Sequence, residues 1–284
     1  MEYDGGSYCK IIQVTTMNGI THPSSALLQD LDGFRVEKDP QGGRADIILD
    51  RPPLNIISMP QRDQLRYVLE ALDADASIRV IVIRAEGKHF SSGGDIKGFL
   101  AASPEHVASL AWNVAAPYRC SKPVIAANQG YCFGVGFELS LACDFRIVTE
   151  STQYALPEQK LGQIPGSGGS ARLQQMIGIT RTKDVVMRSR RIPGQQAYDW
   201  GIATECVKDS ELAAATDAMV KDLLAFSPIA QRTAKRLLNE SEDSSLSTAI
   251  ELEGHCYSRL RTSHDFREGV EAFHQKRAAK FTGE

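Results

Sequence analysis

The run KPVIAANQGYCFGVGFELSLACDF, residues 122–145, constrains the fold more than any other stretch of the chain. Its first part, rich in Val, Ile and Ala and closed by Gly130, has the texture of a fully buried strand. Its last part, FELSLACDF, is apolar throughout and reads as a buried helix, with Gly134, Val135 and Gly136 leading into it. Strand, glycine loop and helix in that order belong to an α/β architecture. They leave the first N–H groups of the helix free, with its dipole favouring negative charge on a nearby oxygen. The order also invites a dinucleotide site. Leu139 occupies the place of the third glycine, however, and no acidic ribose partner is evident, so that reading is set aside. Glu138, in the first turn of the helix, remains to be explained, because a carboxylate in apolar company must be hydrogen-bonded or protonated.

The rest of the chain fits an α/β core with a helical appendage. FRVEKD and RADIILD predict a hairpin turning at Gly42 and Gly43. Leu65, Val68, Leu69 and Leu72 recur at helical spacing, and VIVIRAEG is a buried strand. HFSSGGDIKGFL follows, with Gly93 and Gly94 just ahead of a predicted helix; they are either a plain turn or backbone donors facing an anion. Ser103 and Pro104 start another helix, which Pro117 is expected to end. FRIVTE is a strand, TQYALPE an extended piece ending on Glu158, and IPGSGGSARLQQMIG a glycine-rich loop entering a helix that Gly178 caps. RTKDVVMRS and GQQAYDWG read as short helices and ATECV as a brief strand, after which four helical segments run to the end. The expected organisation is an N-terminal extension over residues 1–32, a core over 33–209 and a helical region over 210–284 that covers the core or docks on another subunit.

Composition removes several function classes. At 284 residues the chain can bury a core without staples, and its six cysteines show neither metal spacing nor CxxC. The acidic N-terminus and the lack of a long apolar run suggest no secretion or membrane span, so a cytoplasmic, reducing location is expected. A net charge of -3 gives no general attraction for nucleic acid. The histidines are too scattered for a zinc site and no GxSxG elbow occurs, while Cys132 and Cys143 read as small buried hydrophobes rather than nucleophiles. Glu138 and Glu158 have structural readings too, as a helix-end charge and a loop charge. Two glycine loops, near Gly94 and near Val135, tilt the balance: one N–H from each on a single oxyanion, with two carboxylates, makes a reaction centre for acyl chemistry.

FSSGGDIK, KPVIAANQGYCFGVGFELSLACDFRI, YALPEQKLGQIPGSGGSARL and the closing FREGVEAFHQKRAAKF resemble, in order, the motifs of the crotonase (enoyl-CoA hydratase/isomerase) superfamily, over residues 33–281. The resemblance implies a spiral of strand-strand-helix (ββα) turns with a C-terminal helical trimerisation region. It also implies a homotrimer or dimer of trimers and an acyl-CoA thioester substrate, with no cofactor besides the coenzyme A of the substrate. Carried over, the oxyanion hole is the N–H groups of Gly94 and Val135. Val135 replaces the usual glycine, which leaves the backbone donor in place but narrows the pocket or restrains the loop. Glu138 and Glu158 match the acid/base positions, and Gly166 matches a glycine whose N–H places the attacking water or substrate. Lys276 matches a C-terminal lysine near the coenzyme's phosphates, with Arg51, Lys97 and Arg277 as further candidates. The implied reaction is hydration of a 2-enoyl-CoA. Thioester or ring hydrolysis, and non-catalytic CoA or RNA binding on the same fold, are the alternatives. Tyr118, Arg119, Tyr154 and Gln163 are polar pocket candidates that leave a carboxylated or cyclic acyl group open.

Overall fold

The computed structural model describes Leu28 and residues 30–284, so most of the expected N-terminal extension lies outside the described residues. The predicted hairpin forms the sheet edge: β1 (Phe34–Asp39) and β2 (Arg44–Leu49) pair antiparallel, with Asp39 opposite Arg44. α1 (Met59–Ala74) begins at a capping box, in which Ser58 Oγ accepts the Gln61 N–H at 3.1 Å and Gln61 Oε1 accepts the Ser58 N–H at 3.4 Å. It buries the predicted stripe Leu65, Val68, Leu69 and Leu72. β3 (Val80–Ala85) lies parallel to β2 and is apolar on both faces because both are covered.

α2 (Ile96–Ala101) and α3 (Pro104–Val114) follow. α3 ends at Val114, ahead of Pro117 as expected, and Pro117 itself sits in the first turn of α4 (Ala116–Arg119), where a missing N–H leaves no bond unmade. β4 (Val124–Asn128) continues the sheet, and β5 (Tyr131–Phe133), too short to show a period in the sequence, starts a second one. α5 (Val135–Leu141) stops earlier than expected. Ala142 to Asp144 turn the chain into β6 (Phe145–Thr149), and the Asp144 carboxylate anchors that turn by accepting the Val124 N–H at 2.7 Å. After β7 (Gln153–Ala155), Glu158 opens a tight 3₁₀ turn, Glu158–Leu161, rather than closing a strand. α6 (Gly169–Met187) is broken at Gly178, whose φ of +77° and ψ of 164° close one helix as expected and start the next. β8 (Ile192–Pro193), α7 (Gly194–Asp199) and β9 (Glu205–Val207) complete the core. α8 (Leu212–Leu224), α9 (Pro228–Ser241), α10 (Leu246–Leu260) and α11 (His264–Gln275) are the four predicted C-terminal helices.

One sheet runs β1-β2-β3-β4-β6-β9, parallel from β2 onward; the other is β5-β7-β8. Successive passes give a strand to each sheet, β4 then β5 and β6 then β7, which is the spiral of strand-strand-helix units that the motifs imply. The main core packs Ile47, Leu49, Ile81, Ile83 and Val124 against α1 and the second sheet. The opposite face of the large sheet buries Val80, Val82, Ile125 and Ile147 under Val220 of α8. Lys235 of α9 ties the helical region to the core: its Nζ donates to the Pro117 and Lys122 carbonyls at 2.8 and 2.9 Å and to Asp144 Oδ2 at 2.7 Å. Among the described residues, no helix is long and apolar enough to cross a membrane.

Candidate active site

The two glycine loops meet because β3 and β4 are parallel neighbours in one sheet, so the segments that follow them leave from the same end. Beyond β3, Ser91 bridges to the β5 strand, its N–H donating to Tyr131 O at 2.9 Å and its carbonyl accepting the Phe133 N–H at 3.0 Å. Gly93 (φ +113°) and Gly134 (φ +50°) hold backbone conformations that L side chains rarely adopt. A Cβ built on Gly134 would lie 3.8 Å from the Gly93 Cα, so the loops touch backbone to backbone. The following residues are Gly94 and Val135, the two expected donors. Among the described residues neither N–H donates a hydrogen bond within the chain. The Val135 side chain is buried in the apolar core at the start of α5, so the branched residue leaves its N–H available.

Glu138 is 3% exposed, one turn into α5. Its Oε1 accepts the N–H groups of Ser167 at 2.7 Å and Gly169 at 3.1 Å, which locks the IPGSGG loop onto the carboxylate. Gly169 is required there, since a Cβ would fall 2.9 Å from Glu138 Cγ. Burial raises the Glu138 pKa; the two N–H donors and the Arg62 and Arg172 guanidinium groups oppose that rise. Glu158 is half-buried, and its Oε2 is buried with no hydrogen-bond partner among the described residues. Burial, opposed by its own backbone N–H and reinforced by the charge of Glu138, pushes its pKa to about 7. Glu158 Oε1 would lie 3.0 Å from a Cβ on Gly134, so this carboxyl borders the same loop as Val135. The pair thus shares one site, with one carboxylate braced by donors and the other poised to hold a proton at neutral pH.

The other expected residues divide. Gly166 is exposed on the loop that Glu138 grips, and its N–H has no acceptor among the described residues. Lys97 is exposed in the first turn of α2, close in sequence to Gly94, and Lys276 is exposed at the left-handed C-cap of α11. The Arg51 guanidinium is engaged by Asp32 and donates to Ile56 O at 2.8 Å, so it braces the loop after β2. Arg277 is paired with Glu268 at 2.6 Å. Of the polar pocket candidates, Tyr154 is wholly buried, stacked on Phe137 and donating to Asn128 Oδ1 at 2.6 Å, which makes it part of the core. Tyr118 donates to Asn239 O at 3.0 Å, Arg119 folds over Trp112, and Gln163 is exposed. Sequence reasoning missed Arg62 and Arg172, whose positive charges act on Glu138. Arg172 follows the glycine loop and donates to Ser167 O at 3.1 Å. Arg62 had a signal: it stands three residues before Leu65 and seven before Leu69, on the apolar face of α1.

The arrangement offers two backbone donors for an oxygen that gains negative charge and two carboxyls for moving protons beside it. The sequence model of the enoyl-CoA hydratase/isomerase family matches residues 40–284. A mitochondrial protein of Arabidopsis thaliana, named probable enoyl-CoA hydratase 2, is 32% identical over 247 residues, 85% of this chain and 82% of that protein. Enoyl-CoA hydratase subunit I of Geobacillus kaustophilus superposes with a TM-score of 0.85 at 28% identity, covering 89% of this chain and 99% of the other. The enoyl-CoA hydratase of Bacillus anthracis gives 0.83 at 31% identity, covering 89% and 100%.

Proposed function

The chain belongs to the enoyl-CoA hydratase/isomerase family, and on that premise we propose that it is a hydratase, adding water across the 2,3 double bond of an acyl-CoA thioester. The observation that carries this reading is the pair of glutamates in contrasting surroundings beside two uncommitted N–H donors. The thioester oxygen lies between Gly94 N–H and Val135 N–H. Glu138, its carboxylate braced by Ser167 and Gly169, takes a proton from water as the water oxygen bonds C3 and the π electrons move onto the thioester oxygen. Glu158, with a pKa of about 7, then gives its proton to C2 as the enolate collapses. Gly166 N–H positions the water. The donors bind the enolate oxygen more strongly than the neutral carbonyl, so they lower the barrier rather than only the Michaelis constant. Lys97 and Lys276 are the exposed cations assigned to the coenzyme's phosphates, and Arg51 orders the loop after β2. The exposed apolar residues Leu246, Ile250, Tyr257 and Phe273 of the C-terminal helices support a homotrimer or dimer of trimers, and the five described cysteines, all free, support a reducing compartment such as the cytoplasm.

Incubation with a panel of enoyl-, oxo- and aryl-CoA thioesters tests the reading. Loss of the conjugated enoyl absorbance with a mass gain of one water and no free thiol is the expected result. Release of thiol indicates a thioester hydrolase instead. Tight coenzyme A binding with no turnover of any thioester refutes the enzyme.

A further inference from the structure

Arg62 is 3% exposed, placed in the interior by its position on the apolar face of α1. An interior guanidinium ordinarily has its donors bonded. Here Nε has no hydrogen-bond partner among the described residues, and the group lies over the Phe99 ring, 4.8 Å from its centroid. Its Nη2 faces Gly94: a Cβ built on that glycine would be 2.5 Å away. Gly94 is not among the residues with a left-handed φ, so what requires glycine there is the arginine behind it, together with Phe99, rather than the turn. Arg62 also lines a cavity of about 10 Å³ with Ile57, Leu65, Val135 and Leu139, so it and Val135 border one small space. Burial lowers its pKa only to about 10, against the attraction of Glu138 and Asp63, so it is a cation at neutral pH. The charges that face Glu138 are Arg62 from α1, Arg172 from α6 and Glu158 from the 3₁₀ turn.

We propose that Arg62 is a positioning residue of the reaction centre: a fixed interior positive charge behind Gly94 and beside Val135 that favours the enolate oxygen over the neutral thioester carbonyl, acting through the oxyanion donors. This rests on the enolate chemistry of the proposed function. A full negative charge forms on the oxygen only when the π electrons arrive there, whether water adds at C3 or a C2 proton leaves. The attraction is therefore much larger in the transition state than in the bound substrate, and burial keeps it from being screened.

Two reactions read the effect: hydration of crotonyl-CoA, and exchange of the C2 protons of butyryl-CoA in deuterated water, which needs enolisation but no added water. Arg62→Met should lower the turnover number of both about 10²-fold, comparable to loss of one oxyanion donor. KM and coenzyme A affinity should stay within about threefold, since ground-state binding is untouched. Arg62→Lys, which keeps the charge, should recover most of the loss. If the Met variant does not fold, Arg62→Gln supplies the neutral comparison. Unchanged exchange in the neutral variant overturns the proposal, as does a defect confined to KM, or a Lys variant as slow as the neutral one. A wild-type protein that exchanges C2 protons without hydrating crotonyl-CoA refutes hydration of that substrate and leaves the Arg62 comparison readable. One that does neither overturns both.

Discussion

Replacing Glu158 by glutamine should make the protein more stable at alkaline pH while disabling it. In the unfolded chain this carboxyl titrates near 4.5, and in the fold, near 7. The folded state holds the proton more tightly, so protonation of Glu158 favours folding; that contribution is complete below about pH 4.5 and is lost as pH rises through about 7. A rise from 4.5 to about 7, at 1.36 kcal/mol for each pH unit, corresponds to at most about 3.4 kcal/mol. The side chain is only half-buried, and solvent screening reduces this to about 2 kcal/mol. Glutamine keeps the shape without a charge to desolvate. In urea titrations followed by circular dichroism at matched protein concentration, Glu158→Gln should therefore exceed wild type by about 2 kcal/mol at pH 8.5 and by much less at pH 5. Its hydration rate should fall at least about 10²-fold, since no proton can then be delivered to C2. A stability difference equal at both pH values, or of opposite sign at pH 8.5, would show that Glu158 does not hold its proton more tightly in the fold.

Glu138→Gln should lower turnover by roughly 10²- to 10⁴-fold with coenzyme A affinity nearly intact, measured by steady-state kinetics and calorimetry. Wild-type turnover should decline as pH rises past about 7, where Glu158 loses its proton, and a pH–rate profile checks the limb. Gly134→Ala forces a side chain into a φ of +50° and sets a methyl 3.0 Å from Glu158 Oε1; a stability loss of about 1–3 kcal/mol together with slower turnover is expected from denaturation and kinetics. Lys235→Met leaves the Asp144 carboxylate and the Pro117 and Lys122 carbonyls without their shared donor, and should cost about 3–5 kcal/mol in the same urea assay.

Most elements were legible because their signals are local. The stripe of α1, the buried strand β3 and the order strand, glycine, helix around Gly134 follow from spacing and residue type alone. β5 and β8 were not legible, since three and two residues carry no period and exist as strands only through their partners in the second sheet. The short helix α4 and the end of α5 were not legible for a related reason: a proline that closes α3 can also open the next helix, and α5 is cut short by the tertiary bond from Val124 N–H to Asp144.

Residue order alone makes this chain an α/β protein with glycine loops after two strands and marks Glu138 and Glu158 as the acidic residues of interest, because a carboxylate among apolar neighbours is conspicuous in one dimension. Tertiary structure decided what surrounds each of them. Ser167 and Gly169, 29 and 31 residues beyond Glu138, clamp one carboxylate. The other keeps an oxygen without a partner among the described residues. Arg62 arrives from a helix far upstream to stand behind Gly94. Desolvation and charge depend on distance in space, and the chain order of these residues does not contain it.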